Sequence, residues 1–119
     1  MSADHFGRVR PVPLGLVASP VDDGVVRLAV HGEVDVASAD SLRDALTAVL
    51  GDRDVTRVEV DFAGVEFLDS TGISVLTVAY RLARTNQIQF VLVNCERRVL
   101  RVLEITGVDK LLTAGDVGR

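Results

Sequence analysis

The sequence predicts an α/β domain, with a mixed, mostly parallel sheet of four to five strands and helices packed against it. Three observations carry this expectation. Strand-like apolar runs recur at residues 14–18, 25–30, 58–62 and 90–93. Apolar stripes of helical period lie between and after the later runs, and such alternation needs crossover connections, hence parallel pairing. The first two runs are instead joined by a turn ending in Asp23-Gly24, a hairpin signal that makes the opening pair antiparallel. With 119 residues the chain fits one domain. That length can bury roughly two-thirds of the unfolded surface without disulfides or metal.

Taken in order, residues 1–10 are polar and read as a flexible arm, 11–114 as the domain, and 115–119 as a short tail. Pro11 and Pro13 favour an extended approach to the first strand and forbid helix there. Residues 14–18 read as an edge strand, and Ser19 to Gly24 as a dense cluster of turn formers. Val25, Val26, Leu28 and Val30 form a second strand that Gly32 is expected to close. The period then changes. Leu42, Ala45, Leu46, Val49 and Leu50 make one helical stripe, with Ser38 or Asp40 as N-cap and Gly51 at the end. Alternation at residues 58–62 marks a third strand ending near Phe62, after which Val65, Phe67 and Leu68 are expected to pack inward. A helix over residues 71–84 places Ile73, Leu76, Ala79, Tyr80 and Ala83 on one side. Phe90 to Val93 is a continuous apolar run of buried-strand type. A last helix over residues 97–106 turns Val99, Val102 and Leu103 inward. Gly107 then offers a left-handed cap with Val108 just beyond it. Leu111 and Leu112 are expected to add a final short strand or turn.

Composition narrows the function classes. The net charge of -4 and a pI near 5.0 argue against a nucleic-acid binder, which must neutralise phosphates. Twelve arginines and one lysine are interleaved with 17 acids, as on a solvated mixed surface. Two histidines and one cysteine exclude a disulfide framework and a cysteine- or histidine-rich zinc site. No stretch reaches the ~20 apolar residues that span a bilayer. With Cys95 alone and no export signal, a cytoplasmic protein is expected.

The informative stretch runs from Val60 to Ile73, where a strand leads into a helix opening at Asp69-Ser70-Thr71-Gly72. Ser70 falls at or next to the N-cap, where free backbone N–H groups and the positive helix end converge. A phosphate on that hydroxyl is expected to be held by the same donors. An isolated Asp-Ser-Thr-Gly is most often only a good cap cluster. An aspartic-protease motif fails because Thr71 is one residue too many before Gly72. An aspartyl-phosphate enzyme using Asp69 would need Mg²⁺ ligands and a cationic stabiliser, and Lys110 is the only lysine.

Gly32-Glu33-Val34-Asp35 after a strand, Phe67-Leu68-Asp69-Ser70-Thr71-Gly72-Ile73 opening a helix, and Gly107 closing the last helix resemble a STAS domain. More narrowly, the pattern resembles a bacterial anti-sigma factor antagonist, and it runs from Leu14 to Leu112. The resemblance implies a STAS-like fold and a non-enzymatic switch that needs no cofactor. The implied partners are an anti-sigma factor that is itself a serine kinase and a separate serine phosphatase. Ser70 is the implied phosphoacceptor, with Thr71 the lesser candidate. Glu33, Asp35, Asp69, Ser70, Thr71 and Gly72 are the implied partner-binding set. Gly72 would allow close approach of the partner or its nucleotide. In this scheme the unmodified chain binds the anti-sigma factor and frees the sigma factor, and the phosphatase reverses the modification.

Other features have plainer readings. A Ser70/His31/Asp35 triad can be drawn, but no Gly-x-Ser-x-Gly elbow surrounds Ser70 and a strand histidine is more often structural. Cys95 fits a small buried residue better than a reactive thiol. Arg97, Arg98 and Arg101 form a basic strip whose plain reading is a solvated helix face. The alternative function is a STAS scaffold or regulatory subunit of a stress-signalling or transport assembly. Nucleotide binding by the chain itself lacks a P-loop.

Overall fold

The computed structural model describes residues 14–113, so the expectations for the arm, for Pro11 and Pro13 and for the tail lie outside the described residues. The elements are β1 (Gly15–Asp22), β2 (Val25–Val34), α1 (Ala39–Leu50), β3 (Arg57–Leu68), α2 (Ser70–Thr85), β4 (Gln89–Val93), α3 (Arg97–Thr106) and α4 (Asp109–Thr113). The sheet order is β1-β2-β3-β4, with β1 antiparallel to β2 and the other two pairs parallel. The predicted mixed, mostly parallel sheet is therefore present, with four strands among the described residues.

Register explains the core. Val26, Val58 and Phe90 stand in one cross-strand row, and Leu28, Val60 and Leu92 in the next. Five of the six belong to one buried apolar cluster with Leu42 and Leu46 of α1, Leu76 and Ala79 of α2, Val99 and Leu103 of α3 and Leu112 of α4, and the half-buried Val26 packs against it. The alternating residues Arg27, Arg57, Glu59 and Asp61 point to the opposite face. There Glu59 lies 2.8 Å from Arg27 and 3.1 Å from Arg57. Hydrogen bonding to Arg27 holds the Glu59 carboxyl below its ordinary range, against the opposing effect of burial and with help from Arg57.

Four boundaries differ from expectation. The first strand continues through Ser19 and Pro20 to Asp22, because an edge strand tolerates proline and a bulge between Pro20 and Asp22 absorbs it. Gly24, at a φ of 76°, makes the tight turn on its own side of Asp23. The second strand does not stop at Gly32, which pairs with Val65 at a φ of 111° while pairing continues through Glu33 and Val34. The third strand runs to Leu68, carrying one extra residue between Asp61 and Gly64 and another between Val65 and Phe67, so that its pairing with β2 continues past each bulge. Leu111 and Leu112 lie in a helix, not a strand. The Leu112 N–H donates to the Val108 carbonyl at 3.0 Å, and that turn carries Leu112 into the core.

The end of α3 follows the expected chemistry. Gly107 is left-handed at a φ of 81°, and the Val108 N–H reaches back to the Leu103 carbonyl at 3.1 Å. Among the described residues no helix is long and apolar enough to cross a membrane.

Candidate functional site

The parallel strands β2 and β3 end side by side, pairing Glu33 with Phe67 and Val34 with Leu68. Beyond such carboxyl ends α/β sheets place their binding crevices, because each strand there hands over to a loop and a helix start. A backbone bond ties the two exits together, the Asp69 N–H donating to the Val34 carbonyl at 3.2 Å. The start of α2 is thereby fixed against the end of β2.

Asp69 is the N-cap of α2. Its Oδ1 accepts from the N–H groups of Thr71 at 2.9 Å and Gly72 at 3.1 Å. Ser70 is the first helical residue and is exposed, so its hydroxyl is presented outward. This corrects one expectation. The donors thought available to a phosphate on Ser70 already hold the Asp69 carboxylate, so the phosphate would meet a negative group there.

The loop from β2 to α1 is held by its own polar side chains. Asp35 Oδ1 accepts from the N–H groups of Ala37 at 3.0 Å and Ser38 at 3.2 Å. The Ser38 hydroxyl donates to the Glu33 carbonyl at 2.7 Å and accepts from the Asp35 N–H at 3.0 Å. Ser38 is thus the N-cap of α1 by position, but its side chain closes the preceding loop instead of capping the helix.

The STAS domain family model matches residues 17–117. The chain belongs to the STAS domain family. It is 28% identical over 96 residues to an anti-sigma-B factor antagonist of Listeria monocytogenes, covering 81% of this chain and 83% of that protein. It is 37% identical over 54 residues to the anti-sigma-F factor antagonist RsfB of Mycobacterium tuberculosis, covering 45% and 43%. Among solved structures, an anti-sigma factor antagonist from Mycobacterium paratuberculosis superposes with a TM-score of 0.75 at 29% identity, covering 87% of each chain. Unphosphorylated SpoIIAA, an anti-sigma factor antagonist, shares the fold at a TM-score of 0.70 and 20% identity, over 80% of this chain and 83% of that one.

Within this STAS domain the expected site residues separate into groups. Glu33, Ser70 and the half-buried Asp69 and Thr71 gather where β2 and β3 end. Asp35 stands in the adjoining loop with Oδ1 engaged by that loop. Gly72 is different. It is buried, and a Cβ there would fall 2.6 Å from Leu68 Cδ1 and 2.6 Å from Val34 Cγ1. Its missing side chain lets α2 sit close on the sheet, so it lies beneath the corner that Ser70 presents. His31 lies beside Gly15 and Gly64, on the sheet face opposite the core residues Leu28 and Val30, while Asp35 Oδ1 serves its own loop, so no triad forms with Ser70.

Two residues of this corner escaped the sequence reading. Phe67 was expected inside, yet it is 47% exposed and stands next to Glu33. The two register shifts in β3 turn Val65 and Leu68 inward and Phe67 out, and period counting cannot see them. Val36 is 77% exposed in the loop. An apolar residue inside the polar run Asp35-Val36-Ala37-Ser38 was the available signal. Cys95 packs half-buried against the core, and Arg97, Arg98 and Arg101 are exposed on α3.

Proposed function

We propose that this STAS domain is an anti-sigma factor antagonist switched by phosphorylation of Ser70. In the unmodified state it binds an anti-sigma factor that is a serine kinase, and so releases the sigma factor. The kinase transfers a phosphoryl group from ATP to the Ser70 hydroxyl, and a serine phosphatase removes it. The chain contributes the acceptor and the docking surface, and the catalytic groups belong to its partners.

The observation that carries this reading is the exposed Ser70 hydroxyl at the first position of α2, beside the Asp69 carboxylate that occupies the next two helix N–H groups. Thr71 is the lesser acceptor because it is half-buried and turned toward α1. A kinase that phosphorylates Ser70 must set nucleotide phosphates and carboxylate groups against it. After transfer the product carries about −1.5 to −2 charge with no spare cap donors at Thr71 or Gly72 to neutralise it. At about 6 Å from one partner anion and an effective dielectric of about 20, each added charge costs roughly 3 kcal/mol. That is on the order of a hundredfold in affinity per charge, so the modified chain keeps its fold and leaves its partner.

The test incubates the purified chain with its anti-sigma kinase and ATP, then reads intact mass and the modified peptide. One phosphate on Ser70, lost in Ser70→Ala with partner binding retained, is the expected result. Modification that persists in Ser70→Ala, or tight binding by the fully phosphorylated chain, would overturn the reading.

A further inference from the structure

Helices α1 and α2 follow the parallel strands β2 and β3, so both leave the same end of the sheet and lie side by side. Between them runs an open groove of about 440 Å³, its wall built chiefly by Val36, Leu46, Leu50, Val75, Val78 and Leu82. Val78 is 57% exposed and Leu82 is 36% exposed, so apolar surface lines the groove. Thr71 and Ser74 close the end nearest Ser70. From Thr71 to Leu82 the groove follows α2 for about 16 Å, three helical turns.

We infer that this groove receives an amphipathic helix of the anti-sigma factor, laid between α1 and α2 with apolar side chains at i, i+3 or i+4, and i+7. The inference rests on the antagonist reading and names the second half of the surface which that reading requires. A specific protein interface covers roughly 800 Å² on each partner, drawn from about 20–30 residues. The Ser70 corner, with Glu33, Phe67 and Asp69, supplies only a fraction of that. The groove is the apolar surface continuous with it through Thr71. Its length and paired helical walls match the helix-in-groove mode of recognition. A small ligand is a poorer occupant, since binding pockets enclose most of their ligand and this groove is open along its length. The charges at its edge are already matched, with Arg43 bonded to Asp40 at 2.9 Å. Recognition in the groove is therefore apolar and insensitive to salt, whereas the Ser70 corner answers to charge.

The test measures affinity for the purified anti-sigma kinase by calorimetry, with the unphosphorylated chain and the variants Val78→Arg, Leu82→Asp, Ser70→Asp and Ile105→Arg. Ile105 is 78% exposed on α3 and serves as the control. Thermal melts confirm that all the variants fold. Val78→Arg and Leu82→Asp are expected to weaken binding at least tenfold, with the loss unchanged between low and high salt, and Ile105→Arg to stay within twofold. Groove variants that bind like the parent would overturn the inference while leaving Ser70 in place. Loss in Val78→Arg with full binding by Ser70→Asp would sink the Ser70 reading and keep the groove. Sedimentation of the chain alone would reveal a dimer dissolved by Val78→Arg, which would give the groove to a second copy and refute the inference. If the parent chain binds no anti-sigma kinase, both readings fall together.

Discussion

Replacing Gly72 by alanine sets two effects of opposite sign against each other. In a helix interior alanine is favoured over glycine by about 1 kcal/mol, and less in the first turn where Gly72 sits. The added methyl, however, would lie 2.6 Å from Leu68 Cδ1 and 2.6 Å from Val34 Cγ1, about 1 Å inside ordinary contact. Neither neighbour yields easily. Val34 is fully buried and β-branched, and its carbonyl accepts from the Asp69 N–H. Leu68 is buried in the core cluster. Overpacking of this kind costs roughly 1–3 kcal/mol, so the clash wins and Gly72→Ala is destabilised by about 1 kcal/mol net. Urea denaturation reads this as a midpoint lowered by about 0.3–1 M at an unchanged slope, and a melt as a fall of about 4 °C. A variant as stable as the parent or more so would refute the packing argument. Intact stability with lost partner binding would return Gly72 to the interface.

Three further outcomes follow from the same contacts. Asp69→Ala removes the acceptor for two helix N–H groups and should cost about 1–2 kcal/mol in denaturation, whereas Asp69→Asn, which can still cap, should lose little. Phe67→Ser should leave the melting temperature almost unchanged because the ring is about half exposed, yet weaken binding to the anti-sigma factor about tenfold or more; equal affinity would remove Phe67 from the interface. Glu59 has its carboxyl pKa depressed by Arg27, so its contribution to stability is present above its unfolded value near 4.5 and is lost as pH falls through the lower folded value. Glu59→Gln should therefore be less stable than the parent at neutral pH, with the difference shrinking below about pH 5. A constant difference down the acid limb would contradict that linkage.

Most of the architecture was legible because burial imposes a period on sequence. The stripe Leu42, Leu46, Leu50 and the alternation Val58, Val60, Phe62 each have one core face, and a single face writes one period. What escaped lies where the period breaks. The bulges near Gly32 and between Asp61 and Gly64 change which residues face the core, so strand lengths and the outward turn of Phe67 depended on pairing partners 30 residues away. The site was legible in part. Asp69-Ser70 at a helix start is a local signal, and local capping chemistry placed it. The role of Asp69 as the group already filling the donors was not, since it depends on which oxygen meets which N–H.

The sequence by itself determined an α/β domain with a hairpin at its start, parallel crossovers after it and a hydroxyl at the opening of α2, because each of these follows from neighbouring residues. Only the tertiary structure decided what surrounds that hydroxyl. It joined Glu33 and Phe67 to Ser70 across two strands, put Gly72 beneath the site, and laid α1 beside α2 to open the groove. Those relations are set by sheet register and helix packing, which couple residues far apart in the chain.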